Sequence, residues 1–195
     1  MPKKKAYSRV TTVLGWLNSS WKEYWYRKVG FEEADRVSRE SQEFGKKVHQ
    51  RIEDVLKGSN FSSLSEPLVE RCAGTLHSWL YTNKVKPLYL EQELKENKLE
   101  LIGHCDLIAE IAGEQVIIDY KTSKKIDRSY ALQLAAYAHM ANKQLGTKIS
   151  KGIILRVDKD PNAEQQLEVV EYRPLKMYWK VFHAGLLFYK FMNGR

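Results

Sequence analysis

Residues Leu99–Thr122 read LELIGHCDLIAEIAGEQVIIDYKT. Two apolar runs flank the short break at Ala112-Gly113, and both carry the two-residue period of a strand. The spacing predicts a hairpin, with one strand over Leu99–Ile111, a turn at Ala112-Gly113-Glu114 and a second strand over Gln115–Thr122. The Val116-Ile117-Ile118 run has the composition of a well-buried strand. Regular alternation puts Leu101, Gly103, Cys105 and Leu107 on one face of the first strand, and Ile102, His104, Asp106 and Ile108 on the other. In the second strand Ile117, Asp119 and Lys121 share a face, while Val116, Ile118 and Tyr120 share the opposite one. A two-residue turn pairs residue 111 with 114 and residue 106 with 119. Asp106 and Asp119 then stand opposite each other, about 4.5–5.5 Å apart at Cβ. A longer turn would shift that register by one residue.

Two carboxylates so close repel each other, and burying them calls for a cation or a shared proton. A hard divalent ion suits the pair, because Mg²⁺ takes one or two carboxylates and fills its remaining positions with water and phosphate oxygens. Lys121 adds a fixed positive charge on the Asp119 face, where it could orient a water or offset charge on a phosphate. The same spacing also suits a plain buried Asp119–Lys121 ion pair, with Asp106 solvated at a strand end. Other polar residues interrupt apolar segments. Gln133 and Tyr137 stand four apart in a helical run that is otherwise almost wholly apolar. His49, in Gly45-Lys46-Lys47-Val48-His49, lies beside the stripe Phe44, Val48, Ile52, Val55 and Leu56; on its own it reads as a core-edge histidine. Glu91 and Glu93 share a face of a strand over Leu88–Leu94.

Outward from the hairpin, the period is helical over Thr11–Val29, Asp35–Leu56 and Leu68–Asn83, with a Gly/Ser/Pro-rich loop at Lys57–Pro67. Downstream come a helix over Tyr130–Leu145, strands over Gly152–Val157 and Leu167–Tyr172, and an aromatic-rich helix over Pro174–Asn193. Helices around a central mixed sheet make an α/β or α+β fold. Residues 1–195 read as a single domain, with a mainly helical part over 7–83 and the sheet-and-helix core over 84–195.

Thirty-two Lys and Arg against 24 Asp and Glu give a net charge of +8. Such a surplus points to a polyanion, nucleic acid first and an anionic membrane second. With only Cys72 and Cys105, a disulfide-built fold, a four-cysteine zinc site and a four-cysteine iron–sulfur cluster are excluded within one chain. No run of about 18 apolar residues is present, so a spanning helix is not expected. No signal or transit segment follows the basic start, and a reducing, cytoplasmic setting is expected. Three of the five tryptophans fall in one basic, aromatic segment that includes Trp16, Trp21, Tyr24, Trp25 and Tyr26. Such rings can stack on bases, but Trp21, Tyr24, Trp25 and Lys28 share a helical face, so most of the rings are expected in the core. Arg9, Arg27, Lys28, Lys46 and Lys47 are the candidates for phosphate contact.

Taken in order, Gly45-x-x-x-His49, Glu91, Gly103-x-x-Asp106, Asp119-Tyr120-Lys121-Thr122-Ser123 and Gln133-x-x-x-Tyr137 resemble the RecB-like PD-(D/E)XK nucleases. The resemblance spans roughly Val10 to Met192. Within that superfamily, Ser8–Leu14, the Val116–Lys124 run and the late Gly152-Ile-Ile-Leu strand are similar to the mitochondrial genome maintenance exonuclease group and its bacterial and phage relatives. The resemblance implies a core sheet flanked by helices and Mg²⁺- or Mn²⁺-dependent cleavage of DNA, with a preference for single strands bearing free ends. It implies Asp106 and Asp119 as metal-binding acids and Lys121 as the catalytic lysine. It further implies the Tyr120 carbonyl as an added ligand, His49 and Glu91 as auxiliary positions at the metal, and Gln133 and Tyr137 as a motif near the DNA. Cluster-bearing relatives use four cysteines, which this chain lacks, and a bacterial or phage origin is favoured over a mitochondrial one. A structure-specific endonuclease and a non-catalytic DNA-binding module on the same fold are the alternatives.

Overall fold

The computed structural model describes residues 7–61 and 66–194, apart from the side chains of residues 21 and 22. The elements run β1 (Ser8–Arg9), α1 (Val10–Leu17), α2 (Ser19–Val29), α3 (Phe31–Leu56), α4 (Pro67–Thr82), β2 (Lys86–Glu96), β3 (Leu101–Ile111), β4 (Glu114–Lys121), α5 (Ser129–Gln144), β5 (Lys151–Val157), β6 (Leu167–Tyr172) and α6 (Leu175–Met192). The six strands form one mixed sheet ordered β1-β3-β4-β5-β6, with β2 on the other edge of β3. The expected α/β organisation is therefore what the chain adopts.

The hairpin expectation holds at its turn. Ile111 pairs with Glu114, and the antiparallel ladder runs in the same register to Leu107 and Ile118. Ala112 and Gly113 take φ of 50° and 81°, the positive values that a two-residue hairpin turn needs to match strand twist. Glycine adopts them freely, whereas alanine does so under strain. β4 and β5 run parallel from Val116–Lys151 to Lys121–Arg156. Parallel strands need a crossover, and α5 supplies it.

Each face of the sheet is covered by helices. α1, α5 and α6 lie on one side, where Leu134, Met140 and Phe182 pack against Leu101, Cys105, Ile108 and Ile117. α3 and α4 lie on the other, where Ile52, Cys72 and Leu76 pack against Leu107, Val116, Ile118 and Tyr120. This assignment overturns the regular alternation expected along β3. Leu101 and Cys105 join the α5 side as a pair, but Leu107 faces α3 and α4, and Ile108 returns to the α5 side. The facing of side chains inverts at Asp106. Opposite it, Glu91 takes a φ of 44°, and the β2–β3 ladder omits that pair while keeping one register from Leu90–Leu107 to Gln92–Cys105. Irregularities of this kind re-aim a side chain and recur beside functional sites.

The edges of β3 explain where the opening falls. β2 occupies one edge along most of its length. β1 and β4 divide the other, β1 pairing with Leu101 and Ile102 and β4 with Leu107 to Ile111. Among the described residues, no ladder pair fills the stretch between them.

The helical expectations need two corrections. Thr11–Val29 is not one helix but α1 and α2, broken at Asn18. The helix expected from Asp35 begins earlier, at Phe31, after Gly30 at φ 93° and with Glu32 and Glu33 in its first turn. The expected Lys57–Pro67 loop agrees with the ends of α3 and α4, although residues 62–65 lie outside the described residues. Among the described residues, no helix is long and apolar enough to cross a membrane.

Candidate active site

The gap in the β3 edge is filled by side-chain chemistry. In place of a main-chain partner, the Asp106 carboxylate accepts the Tyr120 backbone N–H through Oδ2 at 2.7 Å. Its Oδ1 lies 3.4 Å from His49 Nδ1. The other ring nitrogen of His49, Nε2, stands 3.0 Å from the Tyr120 carbonyl oxygen. His49 comes from α3, one turn beyond Gly45, where an added Cβ would sit 3.4 Å from Thr122 Oγ1. The close approach of α3 to the end of β4 is what brings the imidazole over the sheet.

One ligand atom each from His49, Glu91 and Asp106 lies within 4.8 Å of the other two. One imidazole and two carboxylates form a donor set suited to a divalent cation. The electrostatics carry the mark of crowded acids. Burial, reinforced by the Asp106 charge, pushes the Glu91 carboxyl up to about 7. Burial alone would lower the His49 imidazolium, but Asp106 outweighs it and raises the group to about 9. Burial would likewise raise Asp106, yet the His49 charge and hydrogen bond hold it below the ordinary carboxylate range. The protonated His49 therefore balances Asp106.

Asp119 and Lys121 form a second, adjoining pair. Asp119 is 2% exposed, and its Oδ2 ion-pairs with Lys121 Nζ. Burial pushes the Asp119 carboxyl up to about 6 against the pull of Lys121, with Asp106 adding to the rise. Burial would lower the Lys121 ammonium, and the two aspartates more than reverse this. Of the two arrangements compatible with the spacing, the buried Asp119–Lys121 pair exists, but Asp106 is not the solvated partner that reading supposed. Its side chain is 11% exposed.

α5 closes the site from the opposite face. Gln133 Nε2 donates to Tyr137 Oη at 3.2 Å, and both residues are buried. The Tyr137 ring lies against Gly103, where an added Cβ would come within 2.5 Å of Tyr137 Cε1. Glycine at that position is thus a packing requirement, and it lets α5 reach the opened strand. Lys121 Nζ lies 4.7 Å from the centroid of the Tyr130 ring.

His49, Glu91, Asp106, Tyr120, Asp119 and Lys121 are therefore brought together, with Gln133 and Tyr137 behind them. The basic candidates are not gathered in the same way. Arg9 is exposed on β1, and Lys46 is exposed beside Gly45. Lys47 is engaged by Glu66. Lys28 is exposed on α2, and Arg27 lines a cleft of 580 Å³ with Gly15, Ser19, Glu23, Tyr26 and Phe31. The expectation that most rings of this segment enter the core is corrected. Trp16 does pack, edge-on against Phe188 and Tyr189 with centroids 5.6 Å apart. Among the described side chains, α2 buries none, and Tyr24 remains 64% exposed. The helix leans on α1 and α3 instead of the sheet; the Trp21 side chain lies outside the described residues. Glu93, expected on a face with Glu91, pairs with Lys95 and His104 instead.

Two residues of the neighbourhood, Tyr130 and Arg156, are not marked by local spacing. Arg156, 7% exposed, donates to Glu168, Asp158 and the Ser123 carbonyl, and so braces the segment that follows Lys121. An arginine inside Gly152–Val157 was its visible trace.

Over 127 residues the chain is 29% identical to mitochondrial genome maintenance exonuclease 1 of Xenopus tropicalis, a match that spans 60% of this chain but only 36% of that protein. In fold it is similar to an alkaline exonuclease from Laribacter hongkongensis, at a TM-score of 0.46 and 10% identity over 97% of this chain and 94% of the other. A candidate exonuclease from Eubacterium rectale gives a TM-score of 0.47 and 14% identity over 97% and 82%. The sequence pattern of the PD-(D/E)XK nuclease superfamily matches residues 23–178, a span that includes Glu91, Asp106, Asp119 and Lys121, and the chain belongs to that superfamily.

Proposed function

We propose that this nuclease is a metal-dependent exonuclease acting on single-stranded DNA from free ends, with the whole chain as one nuclease domain. The observation that carries the reading is the convergence of three metal-ligating groups, from His49, Glu91 and Asp106, beside a buried aspartate–lysine pair at an opened strand edge. Those three groups would hold Mg²⁺ or Mn²⁺, with Asp119 and the Tyr120 carbonyl adjoining. When bound, the ion supplies a water of lowered pKa and a positive charge against the scissile phosphate.

The chain's own residues do the rest. Glu91 and Asp106 must be deprotonated to serve as ligands, and His49 must give up its second proton. Protons and metal therefore compete, and metal binding strengthens as pH rises. Lys121, held by Asp119, orients the attacking water and offsets charge that develops on the phosphate. Gln133 and Tyr137 hold the strand or the lysine in place. Arg9, Arg27, Lys28 and Lys46 track the phosphates, and Lys47 joins them if it leaves Glu66. Exposed Tyr24 offers a face on which unpaired bases stack without regard to sequence. A bacterial or phage-encoded enzyme acting in the cytoplasm is the setting that the resemblance favours.

The test is digestion of linear single strands labelled at either end, circular single strands and duplex DNA, with Mg²⁺ or with chelator. Linear single strands should shorten only with metal, and the circle should resist. Cutting of the circle at a comparable rate would make the enzyme an endonuclease of the same superfamily. Binding of every substrate without cleavage would make it a non-catalytic module.

A further inference from the structure

Lysine carries its charge on a flexible four-carbon stem, so a catalytic lysine needs outside groups to fix its ammonium. Asp119 is one such group. The other comes from a different element. Tyr130, in the first turn of α5, presents its ring to Lys121 Nζ at 4.7 Å from the centroid, within the range of a cation–π contact. The ring is itself held. Tyr130 Oη donates to Ser123 Oγ at 3.1 Å, and Ser123 Oγ donates to the Lys125 carbonyl at 2.9 Å. The segment that leaves β4 thus carries both the lysine and the clamp for the ring that faces it. Tyr130, Gln133 and Tyr137 stand at positions i, i+3 and i+7, so one face of α5 presents all three to the site.

The chemistry of a ring suits this place better than a second acid would. A π face attracts the ammonium without accepting a full hydrogen bond from it or neutralising its charge. Donor capacity is left for Asp119 on one side and for water or a phosphate oxygen on the other.

We propose that Tyr130 is a positioning residue for Lys121, its ring face fixing the ammonium in the orientation from which it acts. The inference rests on the reading of Lys121 as the catalytic lysine.

Tyr130→Leu and Tyr130→Phe, assayed for Mg²⁺-dependent digestion of end-labelled single strands beside Lys121→Ala, test it. Tyr130→Leu should lower kcat by about tenfold with KM within about twofold, since the ring acts on the reacting group and not on strand binding. Tyr130→Phe keeps the ring and should recover the rate to within about threefold of the parent. Thermal melts check that each variant folds, and Tyr130→Met replaces the leucine variant if that one melts early. Equal losses in Tyr130→Phe and Tyr130→Leu would overturn the proposal, because the hydroxyl link to Ser123 would then be the cause. A parent-like rate in Tyr130→Leu, with Lys121→Ala inactive, would overturn it alone. A parent-like rate in Lys121→Ala would instead remove the reading on which it rests.

Discussion

Near its turn, the β3–β4 hairpin pairs residue for residue from Ile111–Glu114 to Leu107–Ile118, and Ile117 and Ile118 are wholly buried on opposite faces. One residue further along come Asp106 and Asp119, the ladder has stopped at Leu107–Ile118, and a carboxylate takes the backbone N–H of Tyr120. One end of the hairpin is regular, apolar and self-sufficient. The other holds buried acids whose charges oppose one another, balanced by His49 and Lys121. Regular pairing stabilises the fold, and the opened end sacrifices some of that stability to keep charged groups at one point.

The contrast is sharpest for Lys121→Ala. At the opened end it should lower the rate of single-strand digestion by roughly 10²–10³, as expected when a charge aimed at the transition state is removed. DNA binding should stay measurable in a gel-shift assay. At the regular end, Ile118→Ala should do the reverse. It removes a fully buried side chain and should cost about 2–5 kcal/mol in chemical denaturation, while the folded fraction keeps its specific activity.

The effect of pH separates the two ends again. Glu91 titrates near 7 in the folded chain against an ordinary 4.5, and Asp119 near 6 against 3.8. The metal-free folded chain therefore binds more protons than the unfolded one, and stability falls as pH rises through that window. His49, raised from 6.5 to about 9, loses its stabilising charge over the next interval and extends the decline. Asp106, held low, acts in the opposite sense only at more acid pH. Melting temperature in chelator should drop from pH 5 to pH 9, and Glu91→Gln should flatten its acid half. A flat profile in the parent would remove the picture of crowded acids.

The smallest effect belongs to the turn. Ala112 at φ 50° is strained where asparagine or glycine is at ease. Ala112→Asn should add about 0.5–1 kcal/mol and leave digestion unchanged. A destabilised Ala112→Asn would mean that the turn is not under the strain inferred for it.

What was legible in the sequence follows the same division. Ala112-Gly113 and the two-residue period placed the turn and its register, because local backbone preference and burial agree there. The assembled site was legible through residue types set in apolar surroundings, Asp106, Asp119, Lys121, Gln133 and Tyr137 among them. Periodicity could not show the inversion of facing at Asp106, since alternation assumes a regular strand. β1, with two residues, is too short to have a period. The break at Asn18 was not legible, because the apolar positions on either side carry one helical period through it. The exposure of α2 depends on which surface the helix leans against, and the Tyr130–Lys121 contact depends on two elements meeting. Neither is written in local spacing.

If the opened end of the hairpin holds a divalent ion, calorimetric titration of Mn²⁺ into the chelator-stripped protein at pH 8, in the parent and in Asp106→Asn, will show it. The parent should bind with proton release, and Asp106→Asn, which keeps the side chain's shape but lacks its charge, should lose that binding by at least about tenfold. Equal affinity in the two proteins would mean that Asp106 holds no ion there.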